Sequence, residues 1–550
     1  MDQMDLAADA ERWTRLLTAL PSVTGSADEA RFAGELTRLL RASPAFRDNP
    51  ERVWRVPVPG GPHPRSAVLA LLRGTGPRTV VLTGHFDTVE IESYGPLAPV
   101  ARDPDRLAAG LAAALEGERR DQQGERALAD IRSGDFIFGR GLLDMKAGLA
   151  AALAVMEHAS RLPARTGNLL FAAVPDEEGN SAGARCLATL LAGLQQELGL
   201  AVEAAVNLDA ISDDGDGTAG QVVALGSVGK LLPSAFVVGR PVHASYALSG
   251  FGAAALAGAL AAALECLPAL TPRTGAEIAS PPTLLGMKDS KQSYDVTTPH
   301  STWMIWNVAL HGSGAGDVLE RVLRTAQEAV DRFASELKQR RTTITGIREE
   351  AVRVPVVTFA SLFGDTVGST PGFAAEFQAS AARLAESGVD LPEQCRRLTE
   401  LTWQASGRQG PAVVLGFAST PYPAAELRSD ALAARLEAAA RRAARIVGDG
   451  FATGIGVVRY FPGISDMSFL GQADTADVPL IAENTPAWTT GVAWPDGDAV
   501  ADLPMVNAGP WGRDYHTRLE RANRRYTFEV LPVLLQEIIA QVLGTAGEQG

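Results

Sequence analysis

Strand-like and helix-like segments alternate through the first 230 residues, and this alternation limits the fold more than any other feature. "SAVLALLRG" (66–74), "RTVVLTGH" (78–85), "NLLFAAV" (168–174) and "AVEAAVN" (201–207) are short, apolar and bounded by turn residues. Before and between them, "AERWTRLLTAL", "ADEARFAGELTRLLRA", "KAGLAAALAVMEHASRL" and "SAGARCLATLLAGLQQELG" carry helical spacing, with Ser26 and Asp28 placed to cap the second. Such a chain predicts an α/β fold, a mixed and mostly parallel sheet flanked by helices. Sites in such sheets form beyond the carboxyl ends of the strands.

Those ends carry chemistry. His85 and Asp87 follow one strand; Asp176, Glu177 and Glu178 follow another; Asp209 follows a third; Asp144 precedes the helix that opens at Lys146. Each residue alone is an ordinary cap or turn. Together they predict converging carboxylates, which repel one another unless a cation or shared protons intervene. One imidazole with several carboxylates suits Zn²⁺, Mn²⁺ or Co²⁺. Glu177 and Glu178 are neighbours in sequence and cannot do the same job, so one is expected to ligate while the other acts as a general base.

Composition narrows the function. A net charge of −14 disfavours nucleic acid as a partner. Three scattered cysteines, Cys186, Cys266 and Cys395, make neither a disulfide framework nor a thiolate metal site. The apolar run 253–270 is interrupted by Glu265 and Pro268, so no membrane span is expected there, and the acidic opening segment does not read as a signal peptide. The expectation is a cytoplasmic protein.

The pattern changes near residue 230. "LPSAFVVGRPVHA", "STWMIWNVALHG" and "AVVLGFASTP" read as strands of another sheet, with helices over 252–266 and 316–340. Residues 91–134 form a charged, helical insertion, and about 345–410 looks inserted as well. From about 425 a long alanine/arginine helix resumes the first style. The expected division is one domain of 1–229 plus 420–550 and a second of 230–419.

"TGHFDTV", "GRGLLDMKAG", "PDEEGNSAG" and "NLDA" resemble, in order, the aminoacylase/carboxypeptidase-G/ArgE–DapE metallopeptidase family. The chain length, the insertions and the ending "GPWGRDYHTRLERA" look most like its arginine-utilisation (RocB-like) branch. The resemblance implies a phosphorylase/hydrolase-like catalytic domain with an inserted α+β lid. It implies two divalent ions, zinc before manganese or cobalt. His85 and Asp209 would hold one ion and Glu178 and His516 the other, while Asp144, followed by a cis peptide, would bridge them. Glu177 would be the general base, and Asp87 would orient His85. His243 would reach the partner subunit's site in a homodimer paired through the lid. Asp466, in "GISDMSFLG", would face substrate. Many relatives carry a lid-strand arginine that grips a substrate carboxylate; here "MIWNVALHG" offers Asn307 and His311 instead.

The implied activity is metal-dependent hydrolysis of an amide in a small peptide or N-acyl amino acid through a water shared by the two ions, and the RocB-like resemblance leans toward an arginine-related compound. Hydrolysis of a carbamoyl or amidino C–N bond is the alternative within the same ligand set. A non-catalytic binding protein on the same fold is the alternative outside it.

Overall fold

The computed structural model describes residues 3–212, 220–275, 277–348, 350–461, 463–492, 494 and 501–544. The chain divides into two compact units. The first holds 1–227, 425–473 and 497–550; the second holds 228–424 and 474–496, so it takes in a segment that the sequence pattern alone leaves with the first.

In the first unit an eight-stranded sheet runs, edge to edge, Val53–Val58, Arg65–Leu72, Thr166–Val174, Thr75–His85, Ala201–Asn207, Met505–Asn507, Val222–Ala224 and Gly456–Val458. Four of its seven pairings are parallel, including both made by the Thr75–His85 strand. The register places Leu82 beside Phe171 on one side and Val206 on the other, and His85 beside Val174. The near-continuous apolar runs of these strands fit a sheet covered on both faces. The helices Ala147–Ser160, Ala431–Phe451 and Leu531–Leu543 bring Leu149, Leu153, Leu436, Leu534 and Ile538 into its main apolar core.

Gly148 is required at the start of the first of these helices. A Cβ there would sit 2.0 Å from the Leu208 carbonyl oxygen. Its absence lets the helix that follows Asp144 lie directly against the segment that leads to Asp209.

A smaller sheet, Phe136–Phe138, Arg521–Asn523, Trp511–Arg513 and Ile211–Ser212, completes the first unit. The charged insertion folds into helices Pro104–Gly117 and Gln122–Ser133. Segment Arg525–Leu543 is long and apolar enough to cross a membrane by length and composition, but 67% of that apolar window is buried within the protein.

The second unit contains a six-stranded sheet ordered Gly229–Leu231, Ser301–Leu310, Pro233–Val238, Ala412–Phe417 and Val356–Thr358, with Thr283–Asp289 also paired to Ser301–Leu310. Trp303 and Trp306 alternate along one strand and enter two different apolar clusters, so both are core residues. The apparent insertion is helical at Phe359–Ser369, Phe373–Glu386 and Leu391–Ala405.

Candidate active site

Three adjacent parallel strands end side by side in the first unit. Thr75–His85 delivers His85, Thr166–Val174 leads into Glu177 and Glu178, and Ala201–Asn207 leads into Asp209. Asp144 arrives on the turn before helix Ala147–Ser160, and His516 on the loop between strands Trp511–Arg513 and Arg521–Asn523. Six side chains that are spread over more than 400 positions of sequence make three overlapping groups: His85 with Asp144 and Asp209; His85 with Glu177 and Glu178; Asp144 with Glu178 and His516. Within each group the ligand atoms lie within 4.8 Å of one another.

Asp144 joins the two halves. Its Oδ1 is 3.1 Å from His85 Nε2, and its Oδ2 is 3.1 Å from His516 Nε2. His516 Nε2 also lies 2.9 Å from Glu178 Oε1. His85 Nε2 is 4.0 Å from Asp209 Oδ1 and 3.8 Å from Glu177 Oε2. The peptide after Asp144 is cis.

Burial makes this arrangement costly without compensation. It pushes the Asp209 carboxyl up to about 8, with the neighbouring Asp144 charge adding to it. It also raises Glu177 well above the carboxylate range; His85 opposes that rise, while Asp209, Asp466 and Glu178 reinforce it. Burial alone would raise Asp144 too, but hydrogen bonds from His516 and His85 outweigh it and hold Asp144 low. The imidazole of His516 is lifted to about 10, because bonds to Asp144 and Glu178 overcome desolvation. These shifts describe a set of side chains that share protons unless a cation neutralises them.

The immediate surroundings fix these side chains. His85 Nδ1 lies 3.0 Å from the Asp87 backbone carbonyl, and the Asp87 carboxylate is farther, at 3.7 Å. The contact of Asp87 with the imidazole is thus made by its backbone and not by its carboxylate. The Asp87 carboxylate instead accepts the backbone N–H groups of Glu177 and Glu178, at 3.1 and 3.2 Å, and the Thr24 hydroxyl at 2.9 Å. It therefore holds the turn that carries the two glutamates. Burial pushes this carboxyl up to about 6.

Asp176 separates from its acidic neighbours. It occupies the left-handed region at φ 72°, and its Oδ1 pairs with buried Arg65 at 2.6 Å. Glu520 accepts the Leu143 and Asp144 N–H groups at 3.2 and 3.4 Å, and it pairs with Arg140 at 2.5 Å. Asn507 Oδ1 accepts the Asp209 N–H at 3.1 Å and its Nδ2 donates to the Asp209 carbonyl at 2.9 Å. Asn207 links Asn507 to Ser465, next to Asp466. Asp466 is buried, pushed up to about 7 by desolvation, and electrostatically coupled to His85, Glu177 and Asp209.

The remaining sequence candidates belong to the second unit and are not members of this cluster. His243 is exposed, caps a short helical turn, and accepts the Ser245 N–H at 3.2 Å. Asn307 is half-buried on strand Ser301–Leu310, and His311, just after it, is buried.

Sequence reasoning missed Arg65, Arg140, Asn207, Asn507 and Glu520. Arg140 and Glu520 stand inside "GRGLLDMKAG" and "GPWGRDYHTRLERA", but no spacing rule links residues 380 positions apart.

The family model for Peptidase family M20/M25/M40 matches residues 121–484. The chain belongs to this family. Protein RocB of Bacillus subtilis (strain 168) is 30% identical over 99% of this chain and 96% of RocB. The uncharacterized protein YqjN of the same organism is 30% identical over 97% of each chain. Among solved structures, a tripeptidase from Staphylococcus aureus aligns with a TM-score of 0.52 at 15% identity, covering 98% of each chain, and that likeness shows the fold. This M20/M25/M40 member is therefore a hydrolase of the peptidase and amidohydrolase class, on a mixed α/β fold.

Proposed function

We propose that this M20/M25/M40 hydrolase cleaves the amide bond of a small peptide or N-acyl amino acid at a site for two divalent ions. The reading rests on one observation: Asp144 turns one carboxylate oxygen to His85 and the other to His516. The donor set fits such ions, since two imidazoles and four acidic side chains converge there and burial alone disfavours their charge. His85 and Asp209 would hold one ion, Glu178 and His516 the other, and Asp144 both. When bound, the ions supply Lewis acidity and lower the pKa of a water toward ~7. Zinc suits the ligands first, with manganese and cobalt next.

Glu177 is the proton carrier in this reading. It lies beside His85 but is not needed as a ligand, and its raised pKa suits a group that takes a proton from water and returns it to the leaving amine. Asp466 borders the same cluster from the substrate side. The second unit is the lid, through which two copies pair, and His243 of one copy steadies the oxyanion formed in the other. Asn307 and His311 stand in place of a carboxylate-gripping arginine. The resemblance of the insertions and the ending to the arginine-utilisation branch leans the substrate toward an arginine-related compound, which the acidic balance tolerates, and this reading takes the enzyme as cytoplasmic.

The test is metal content and amide hydrolysis in parent and Glu177→Gln. About two ions per chain in both proteins is expected, with turnover reduced ~10²–10⁴-fold in the variant. Near-parental turnover in the variant would remove Glu177 from the mechanism. Ammonia as the first product would move the activity to carbamoyl or amidino bonds.

A further inference from the structure

We propose that the charged insertion is a brace for His516: Asp130 and Gln123, on helix Gln122–Ser133, set how tightly the His516 side of the cluster holds its ion. This rests on the two-ion reading above.

The loop that carries His516 is not self-sufficient. Asp514 and His516 both adopt left-handed backbone, at φ 58° and 62°. For residues with a Cβ that conformation costs on the order of 1 kcal/mol each and persists only where the surroundings enforce it. Within the loop, Thr517 donates its N–H and hydroxyl to the Asp514 carbonyl at 3.2 and 2.8 Å. Further support comes from outside the loop, from Arg521 on the flanking strand and from the insertion.

Asp130 lies between two arginines, one on each strand flanking the loop. Arg513 Nη1 reaches both Asp130 oxygens at 2.9 and 2.8 Å, and Arg521 Nε reaches Oδ2 at 2.7 Å. Arg521 is fully buried, and its Nη1 also binds Asp514 Oδ2 at 2.5 Å and the Leu519 carbonyl at 2.9 Å. The other Asp514 oxygen accepts from Gln123 Nε2. The loop's carboxylate is thus held at both oxygens, once by the insertion and once by an arginine that the insertion itself orients. Apolar packing adds to this: Leu519 sits in one cluster with Leu107, Leu111, Leu115 and Leu128 of the two insertion helices. The insertion supplies no ligand to the cluster, yet it fixes the loop that supplies one.

A ligand's supporting partners typically govern ~10–100-fold in metal affinity. The test is Zn²⁺ titration of the metal-free full-length protein against a competing chromophoric chelator. Parent, His516→Ala, Gln123→Ala and Asp130→Asn would be compared, with the fold checked by circular dichroism. His516→Ala is expected to lose or weaken one of two ions. Gln123→Ala and Asp130→Asn should weaken that same ion ~10–100-fold and leave the other at parental affinity. A general loss of packing would not split the two ions in this way. Gln123 is only half-buried, so its variant decides the matter if Asp130→Asn does not fold. Parental affinity for both ions in the two brace variants, with one ion lost in His516→Ala, overturns the brace and leaves the metal site standing. Two ions retained in His516→Ala overturns the metal assignment itself, and the brace with it.

Discussion

Replacing Arg140 by methionine isolates the buried pair that supports Asp144. Arg140 and Glu520 are each 1% exposed and 2.5 Å apart, and Glu520 also accepts the Asp144 N–H. Removing one partner of such a pair leaves a buried charge uncompensated, worth about 3–5 kcal/mol. The first unit has roughly 330 residues, and at ~2.1 cal/mol/K per residue its unfolding entropy is about 0.7 kcal/mol/K. The variant should therefore melt ~4–7 °C lower by calorimetry above neutral pH.

The cost should depend on pH, and its sign follows from Glu520. Burial raises this carboxyl to about 7, while Arg140 holds it down. A folded value above the ordinary 4.5 means a stabilising contribution that is complete below about 4.5 and lost as pH rises through about 7. Without Arg140 the folded value climbs further. Near pH 6 Glu520 is mostly neutral in both proteins, so only hydrogen bonds are lost, about 1–3 kcal/mol. Above pH 7 the parent gains its ion pair and the variant does not, so the cost grows by about 1.4 kcal/mol per unit. At about pH 8.5 it should be ~2 kcal/mol larger than near pH 6. Adding Glu520→Gln should recover most of that extra cost, because the uncompensated charge is gone. Equal costs at the two pH values, or less than ~1 kcal/mol at the higher one, would refute the claim that this pair is charged and load-sharing with Asp144.

Two further outcomes are expected. Gly509→Ala places a Cβ 2.0 Å from the Asp209 carbonyl oxygen, so it should displace Asp209 and weaken one metal ion by ~10-fold or more in the same Zn²⁺ titration; unchanged affinity would mean that the Asp209 loop yields freely. The metal-free protein should lose thermal stability from pH 7 to 10, since the raised values of His516, about 10, and Asp209, about 8, each contribute stability that disappears as pH rises through them; melting curves that are flat over that range in metal-free protein, or equally steep in His516→Asn, would contradict this.

The strand ends were legible because periodicity and position coincide there. A short apolar run followed at once by His85, by Glu177 and Glu178, or by Asp209 is a local signal, and the parallel sheet converts it into one site. Asp144 was legible only as an acidic residue placed just before a helix, and His516 only through resemblance to a family. Neither follows a strand of the main sheet, and His516, between two strands of three residues each, has no periodic pattern to mark it. The role of Asp87 was half legible: its nearness to His85 was anticipated, but its carboxylate serves the Glu177–Glu178 turn and its backbone serves the imidazole. That choice depends on where the turn lies in space, which spacing along the chain does not encode.

The supporting groups were not legible at all, for a physical reason. Arg65, Arg140, Asn507 and Glu520 act by compensating charge or backbone groups buried far away in sequence. Such compensation is non-local, and any arginine or asparagine has the composition for it. The insertion shows the same limit from the other side. Read as sequence, 91–134 is a charged interruption of an α/β pattern. In the fold, one of its carboxylates, Asp130, is enclosed by Arg513 and Arg521, and its leucines cover Leu519. A surface helix that brings a buried aspartate to two arginines is constrained by what it holds, and here what it holds is the loop that presents His516.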